Sequence, residues 1–197
     1  MSDEEKVVSW LEENHKGLIA GIIIGLSILY GYKAYISNEN TKQLNLSRQY
    51  DLAINEYNSG NIDGVLKFSR NNITQNPTNI YTSLASLYSA KEMYKQDNYE
   101  EAYVFLDHII KYSSDTEIQN LAKYRKAKLL IEEKKYETAH GLIGDDPDNY
   151  QLIELKGDLY LIQDEYVKAI NNYNDVLTYS ITPNERKNII AKINLIK

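Results

Sequence analysis

Gly157-Asp158-Leu159-Tyr160, a turn at Gln163-Asp164-Glu165, then Tyr166-Val167-Lys168-Ala169 with Tyr173 and Leu177 beyond, is the stretch that decides the fold. Apolar residues recur there at three- and four-residue spacing on both sides of a polar turn, the pattern of two amphipathic helices joined as a hairpin. Gly157 and Ala169 are small where such helices must touch, and Tyr160, Tyr166, Tyr173 and Leu177 fill the space beside them. Three earlier copies keep the polar turn and the position after it: Asn61-Ile62-Asp63-Gly64-Val65, Asn98-Tyr99-Glu100-Glu101-Ala102 and Lys135-Tyr136-Glu137-Thr138-Ala139. Ala53, Ala90 and Ala127 stand where Gly157 stands in the last copy.

Ile62, Tyr99, Tyr136 and Tyr166 are separated by 37, 37 and 30 residues. These intervals bracket the period of about 34 residues of the tetratricopeptide repeat, whose units are helix pairs that bury their apolar faces only by stacking. The expected fold is all-α, an α-solenoid of about four helix pairs drawn at 46–79, 83–116, 120–149 and 150–183. Pro77 ends the first unit. The third is short, because Gly144-Asp145-Asp146-Pro147 stops its second helix early. Beyond Thr182-Pro183, the residues Ile189, Ile190, Ile193 and Ile196 share one helical face, which predicts a C-terminal capping helix over the last repeat. Tyr99, Tyr136, Tyr160, Tyr166 and Tyr173 are expected to hold the core.

Ahead of the repeats, residues 17–32 (GLIAGIIIGLSILYGY) carry no charge, and Lys16 and Lys33 close the run. Sixteen residues rise about 24 Å as a helix, short of the roughly 30 Å hydrocarbon core. Lysines that snorkel and Tyr30, Tyr32 and Tyr35 at the interface extend the span, giving one transmembrane helix at 17–35 in contact with membrane lipid. A buried core helix is the competing reading for so short a run. A cleaved signal is disfavoured, because the preceding segment is acidic and no small-residue cleavage site follows cleanly. Gly17, Gly21 and Gly25 fall four apart on one face, a spacing that lets a second membrane helix approach. Lys6 and Lys16 on one side and Lys33, Lys42 and Arg48 on the other nearly balance, so charge counting leaves the orientation open.

The net charge of −6 and the absence of a basic stripe argue against nucleic acid as a partner. No cysteine is available as nucleophile, disulfide partner or zinc ligand. His15, His108 and His140 lie in different parts of the chain, and Glu100-Glu101, Glu132-Glu133 and Asp145-Asp146 sit where solvated charge is the ordinary explanation. No phosphate-binding glycine loop occurs. The reading is therefore a protein-binding module rather than an enzyme, with no cofactor and no metal.

Solenoids of helix pairs bind along the face built by their first helices. The residues placed there are Tyr50, Ile54, Tyr57, Leu87, Lys91, Tyr94, Tyr124, Lys128, Ile131 and Asp158. Aromatic and aliphatic side chains with few cations suit an apolar segment of a partner, and the set is too poor in Lys, Arg and Asn to clamp a C-terminal carboxylate.

The acidic N-terminus, the early anchor with its glycine seam, residues 79–110 (NIYTSLASLYSAKEMYKQDNYEEAYVFLDHII), residues 155–160 and the closing Ala191-Lys192-Ile193-Asn194-Leu195 together resemble the YfgM-type family of ancillary subunits of the bacterial SecYEG translocon. Within it, Ser83-Leu84-Ala85-Ser86-Leu87 and the K-I-N-L ending are the more specific features. The chain departs from the family pattern in being richer in Tyr and Asn. The resemblance implies a single-pass inner-membrane protein with residues 1–16 in the cytoplasm and the repeats, residues 36–197, in the periplasm. It implies association with the SecYEG translocon, with a membrane-anchored periplasmic chaperone of the peptidyl-prolyl isomerase type, and with exported client proteins. The residues by themselves also allow a cytoplasm-facing, membrane-anchored scaffold that assembles another complex.

Overall fold

Hydrogen-bonding side chains cap the starts of several helices in a computed structural model that describes residues 3–196. The described residues form nine helices and divide into two units between Gln49 and Tyr50. The first helix, α1 (Asp3–Asn58), supplies the described residues of the first unit and the opening turns of the second. The remaining helices are α2 (Asp63–Gln75), α3 (Ile80–Lys95), α4 (Tyr99–Tyr112), α5 (Thr116–Glu132), α6 (Tyr136–Ile143), α7 (Tyr150–Ile162), α8 (Tyr166–Val176) and α9 (Pro183–Ile196).

In the first unit, residues 17–32 are helical and exposed throughout, which sets them apart from a buried core helix. Glu13–Asn58 is, among the described residues, the one helical stretch long and apolar enough to cross a membrane. The Ser27 hydroxyl donates to the Ile23 carbonyl at 2.8 Å, so the serine inside the apolar run is satisfied by its own helix. A Cβ built at Gly17, Gly21 or Gly25 meets nothing within 4 Å.

In the second unit, the same turn recurs in all four copies. The residue two positions before the aromatic or aliphatic marker has positive φ: Gly60 at 90°, Asp97 at 57°, Lys134 at 59° and Asp164 at 61°. The backbone N–H that follows then reaches back five residues, from Asn61 to Glu56, Asn98 to Met93, Lys135 to Leu130 and Glu165 to Tyr160, at 2.8–3.0 Å. This is the Schellman closure of a helix C-terminus, and it turns the chain so that the next helix folds back on the last. Between pairs the starts are capped by Asn79, Asp115 and Asn149, which accept from Tyr81, Ile118 and Gln151 N–H. Thr182 and Glu185 cap α9 reciprocally, with Pro183 at its first position.

Small residues make the seams. Ala102, Ala139 and Ala169 are fully buried, as is Ala127, and Ala53 and Ala90 nearly so. At the last seam, a Cβ added to Gly157 would stand 2.7 Å from Tyr173 Cε1. Tyr173 cannot yield, since it is wholly buried and its hydroxyl donates to Asp158 at 2.7 Å. Between α2 and α3 the small groups are hydroxyls, with Ser89 donating to Ser69 Oγ at 2.8 Å.

The short α6 ends at Gly144, with φ of 85°. The buried Lys156 ammonium grips that end, donating to the Gly144 and Asp145 carbonyls at 2.9 and 2.6 Å. Positive charge at a helix C-terminus satisfies the carbonyls left over there and opposes their dipole. α9 closes the stack through Ile189 and Ile193, and Lys192 bridges to Glu154 and Asp158 on α7 at 2.7 and 2.6 Å.

Two expected core residues face water. Tyr166 is exposed because it opens α8 and its hydroxyl turns back to Asp164. Ile190 is exposed because a terminal helix has only one covered face, which Ile189 and Ile193 occupy.

Gly157→Ala should destabilise the folded domain by about 1–3 kcal/mol, although alanine is the better helix former, because the pinned Tyr173 ring must move. Thermal melts of wild type and variant in detergent check this, and an equal or higher Tm for the variant would contradict the seam.

Candidate protein-binding groove

Two side-chain bridges join the first helices of the second and third pairs. Arg125 Nη1 on α5 donates to the Leu87 carbonyl on α3 at 3.1 Å, and the Tyr94 hydroxyl on α3 donates to Glu132 on α5 at 3.3 Å. Both bridges span 38 residues of sequence, so α3 and α5 run parallel in one register. Between the bridges lies a groove of about 270 Å³. Its apolar surface comes from Ala90, Leu106 and Leu129, and its polar walls from Lys91 on α3 and from Arg125, Lys128 and Glu132 on α5, with Tyr94 at one end.

Lys91, Tyr94 and Lys128, three of the ten expected residues, line this groove. Leu87 gives its carbonyl to one bridge, but its side chain is buried in the core between α3 and α4. Tyr124 is half-buried and does not line the groove; it packs against the core shared by α5, α6 and α7, with Lys128 Nζ 5.6 Å from its ring centre. Ile131 packs against the core shared by α5, α6 and α7. The others lie elsewhere in the second unit. Tyr50 packs on Tyr81 and Phe68, with ring centres 5.2 and 6.0 Å apart, Ile54 is half-buried, and Tyr57 lies 5.0 Å from Tyr88. Asp158 is committed to Tyr173 and Lys192. Gly17, Gly21 and Gly25 belong to the first unit and stand along its helix.

Arg125 and Glu132 were not among the residues expected from sequence. They mark an inward face of α5 that runs 125, 128, 129, 132, rotated from the expected 124, 128, 131. The signal available in sequence was the i, i+3, i+4, i+7 spacing that starts at Arg125.

Three cations and a single carboxylate line the groove. Arg70, Lys95, Lys126, Lys168 and Lys192 each have a carboxylate partner. Lys91, Arg125 and Lys128 have none within 4.0 Å among the described residues. Burial lowers the Arg125 pKa from the ordinary guanidinium value, partly offset by Tyr88.

Tyrosine hydroxyls stitch neighbouring helices to carboxylates. Tyr57 donates to the buried Glu92 at 2.6 Å, Tyr150 to Glu185 at 2.9 Å, and Tyr103 to Glu133. The hydrogen bond to Glu92 and then burial push the Tyr57 phenol up to about 12. Burial, followed by the bonds to Asp158 and Glu133, pushes Tyr173 and Tyr103 well above the ordinary phenol range. Glu92 itself sits below the ordinary carboxylate value, because bonds from Lys95 and Tyr57 outweigh its burial.

Among the described residues no cluster of three or more His, Cys, Asp or Glu is placed to hold a metal ion. His140 Nε2 lies 2.8 Å from Gln163 Oε1, and His108 is buried with its ring beside Tyr112.

The family model described as "Tetratricopeptide repeat-like domain" matches residues 8–197. A protein of Buchnera aphidicola subsp. Schizaphis graminum named "Ancillary SecYEG translocon subunit" is 34% identical over 161 residues, which cover 79% of this chain and 81% of the relative. The protein of the same name from Buchnera aphidicola subsp. Acyrthosiphon pisum is 28% identical over 182 residues, 89% of this chain and 90% of its own length. The Escherichia coli protein of that name is 26% identical over 138 residues, 68% of this chain and 65% of the relative. No solved structure is matched.

A phenol whose folded pKa lies above its unfolded value near 10 contributes stability that is fully present below pH 10 and is lost as pH rises toward the folded value. The Tm should therefore fall between about pH 10 and 12, and Tyr57→Phe should flatten its share of that fall. Melts across pH 8–12, with tyrosinate absorbance followed at each step, check this. A Tm constant to pH 12 would contradict the phenol–carboxylate bonds.

Proposed function

This chain belongs to the tetratricopeptide repeat-like family of ancillary SecYEG translocon subunits, and on that premise we propose that it is a non-enzymatic, single-pass inner-membrane subunit of the SecYEG translocon. Residues 17–35 span the membrane, residues 1–16 lie in the cytoplasm, and the repeats from residue 36 onward stand in the periplasm. The α3–α5 groove receives segments of exported proteins or of a membrane-anchored periplasmic chaperone of the peptidyl-prolyl isomerase type. The subunit thereby links chains leaving the channel to the periplasmic folding network.

The observation that carries this reading is the pairing, in one chain of this family, of a helix fit to span a membrane with a groove that mixes apolar floor, aromatic edge and charge. That mixture is what a polypeptide-binding surface needs: desolvated apolar area supplies free energy, and polar walls supply register. The periplasmic placement has a functional argument. A surface that meets exported chains is useful only on the side where they emerge. The anchor confines the groove near the channel, so a weak groove contact and a weak membrane-helix contact at Gly17, Gly21 and Gly25 reinforce each other through effective concentration.

Crosslinking in membranes tests the proposal. Tyr94→Ala removes aromatic area at the groove and should weaken capture of client or chaperone by about 1–2 kcal/mol while the domain stays folded. Gly21→Leu with Gly25→Leu should reduce crosslinks to the translocon. Wild-type crosslinking by both variants, each folded and inserted, would remove both surfaces from the function.

A further inference from the structure

The groove is lined by more positive charge than the protein itself answers. Lys91 stands on one wall, and Arg125 and Lys128 stand on the other. Glu132 is the one acidic residue of the lining, and it already accepts the Tyr94 hydroxyl. In a chain of net charge −6, three cations without a carboxylate partner around a 270 Å³ apolar floor are a local reversal of sign. Arg125 is half-buried and spends a single described hydrogen bond on the Leu87 carbonyl, which leaves most of its five N–H donors unused. A guanidinium held out of bulk water with free donors is a receptor for carboxylate, which it meets with two parallel hydrogen bonds. Lys128 is aligned over the Tyr124 ring and Lys91 is exposed beside Ala90, so both ammonium groups border the apolar floor.

We infer that the groove selects an acidic–apolar segment of a partner polypeptide: an apolar side chain of about leucine size seated on Ala90, Leu106 and Leu129, flanked by Asp or Glu side chains that meet Lys91, Arg125 and Lys128. The inference rests on the groove being the polypeptide-binding surface and names its partner chemistry. It also revises the expectation of a groove poor in cations, because Arg125 turns inward. The cations stand on opposite walls, so two acidic side chains within one segment answer them where a single chain-terminal carboxylate meets only one wall.

The test uses the full-length chain in detergent micelles and fluorescence anisotropy of three labelled peptides. The first is a capped peptide alternating Leu and Glu. The second is the same peptide with Gln for every Glu. The third is the Gln peptide with a free C-terminal carboxylate. The Glu peptide should bind at least about tenfold more tightly than the capped Gln peptide, with the advantage shrinking as salt is raised. Lys91→Gln with Lys128→Gln, both exposed and dispensable for the core, should erase most of that advantage. Equal binding of the Glu and capped Gln peptides, still weakened about tenfold by Tyr94→Ala, would overturn the charge inference and leave the groove as a polypeptide site. Tighter binding of the free-carboxylate peptide than of the Glu peptide would overturn it in favour of chain-end capture. Binding of none of the three would overturn both the inference and the groove.

Discussion

Close approach of paired helices at small residues is the constraint on which the second unit depends. Ala102, Ala139 and Ala169 are fully buried at equivalent places, and Gly157 admits the Tyr173 ring where even a methyl group would collide. Such an approach requires a turn of fixed geometry. The left-handed residue and the five-residue backhanded hydrogen bond at Gly60, Asp97, Lys134 and Asp164 provide it four times. Three of these four positions carry a side chain, each at a modest conformational cost that the packing of the following helix outweighs. Turn and seam together fix how each second helix lies, and therefore how far apart successive first helices stand.

The groove is a consequence of that spacing. α3 and α5 are joined by two long side-chain bridges rather than by continuous packing, and Leu106 of α4 shows through between them as floor. A surface made this way is rigid at its base and adjustable at its rim, since Lys91 and Lys128 are long side chains on ordered helices. The same arrangement brings Lys91, Arg125 and Lys128 together in a chain of net negative charge.

How much of this was legible in sequence depends on what each signal measured. The phase of the repeats was legible because Tyr99, Tyr136 and Tyr166 each open a second helix and a small residue follows three positions later. The early stop of α6 was legible from Gly144, whose positive φ demands glycine there. The inward face of the first helices was not. α3 and α5 are covered on several sides, so their apolar residues do not fall on one stripe, and neither periodicity nor composition says whether Leu87 or Ala90 meets the groove. Arg125 went unread for the same reason. Tyr57 and Asp158 looked like recognition residues, yet they are bound to Glu92 and to Tyr173 with Lys192. A polar side chain that locks two helices has the same sequence signature as one that waits for a partner. Lys156 belongs to that class too, since only the structure reveals that a buried ammonium caps α6.

The central claim is that the partner lies between α3 and α5. Amide hydrogen exchange of the full-length chain in lipid nanodiscs, with and without the translocon and a segment of an exported protein, tests it most directly. Binding should slow exchange in the turns of α3 and α5 that carry Lys91, Tyr94, Arg125 and Lys128, and leave α8 unchanged. Protection confined to α8 and α9, with α3 and α5 exchanging as in the free protein, would contradict it.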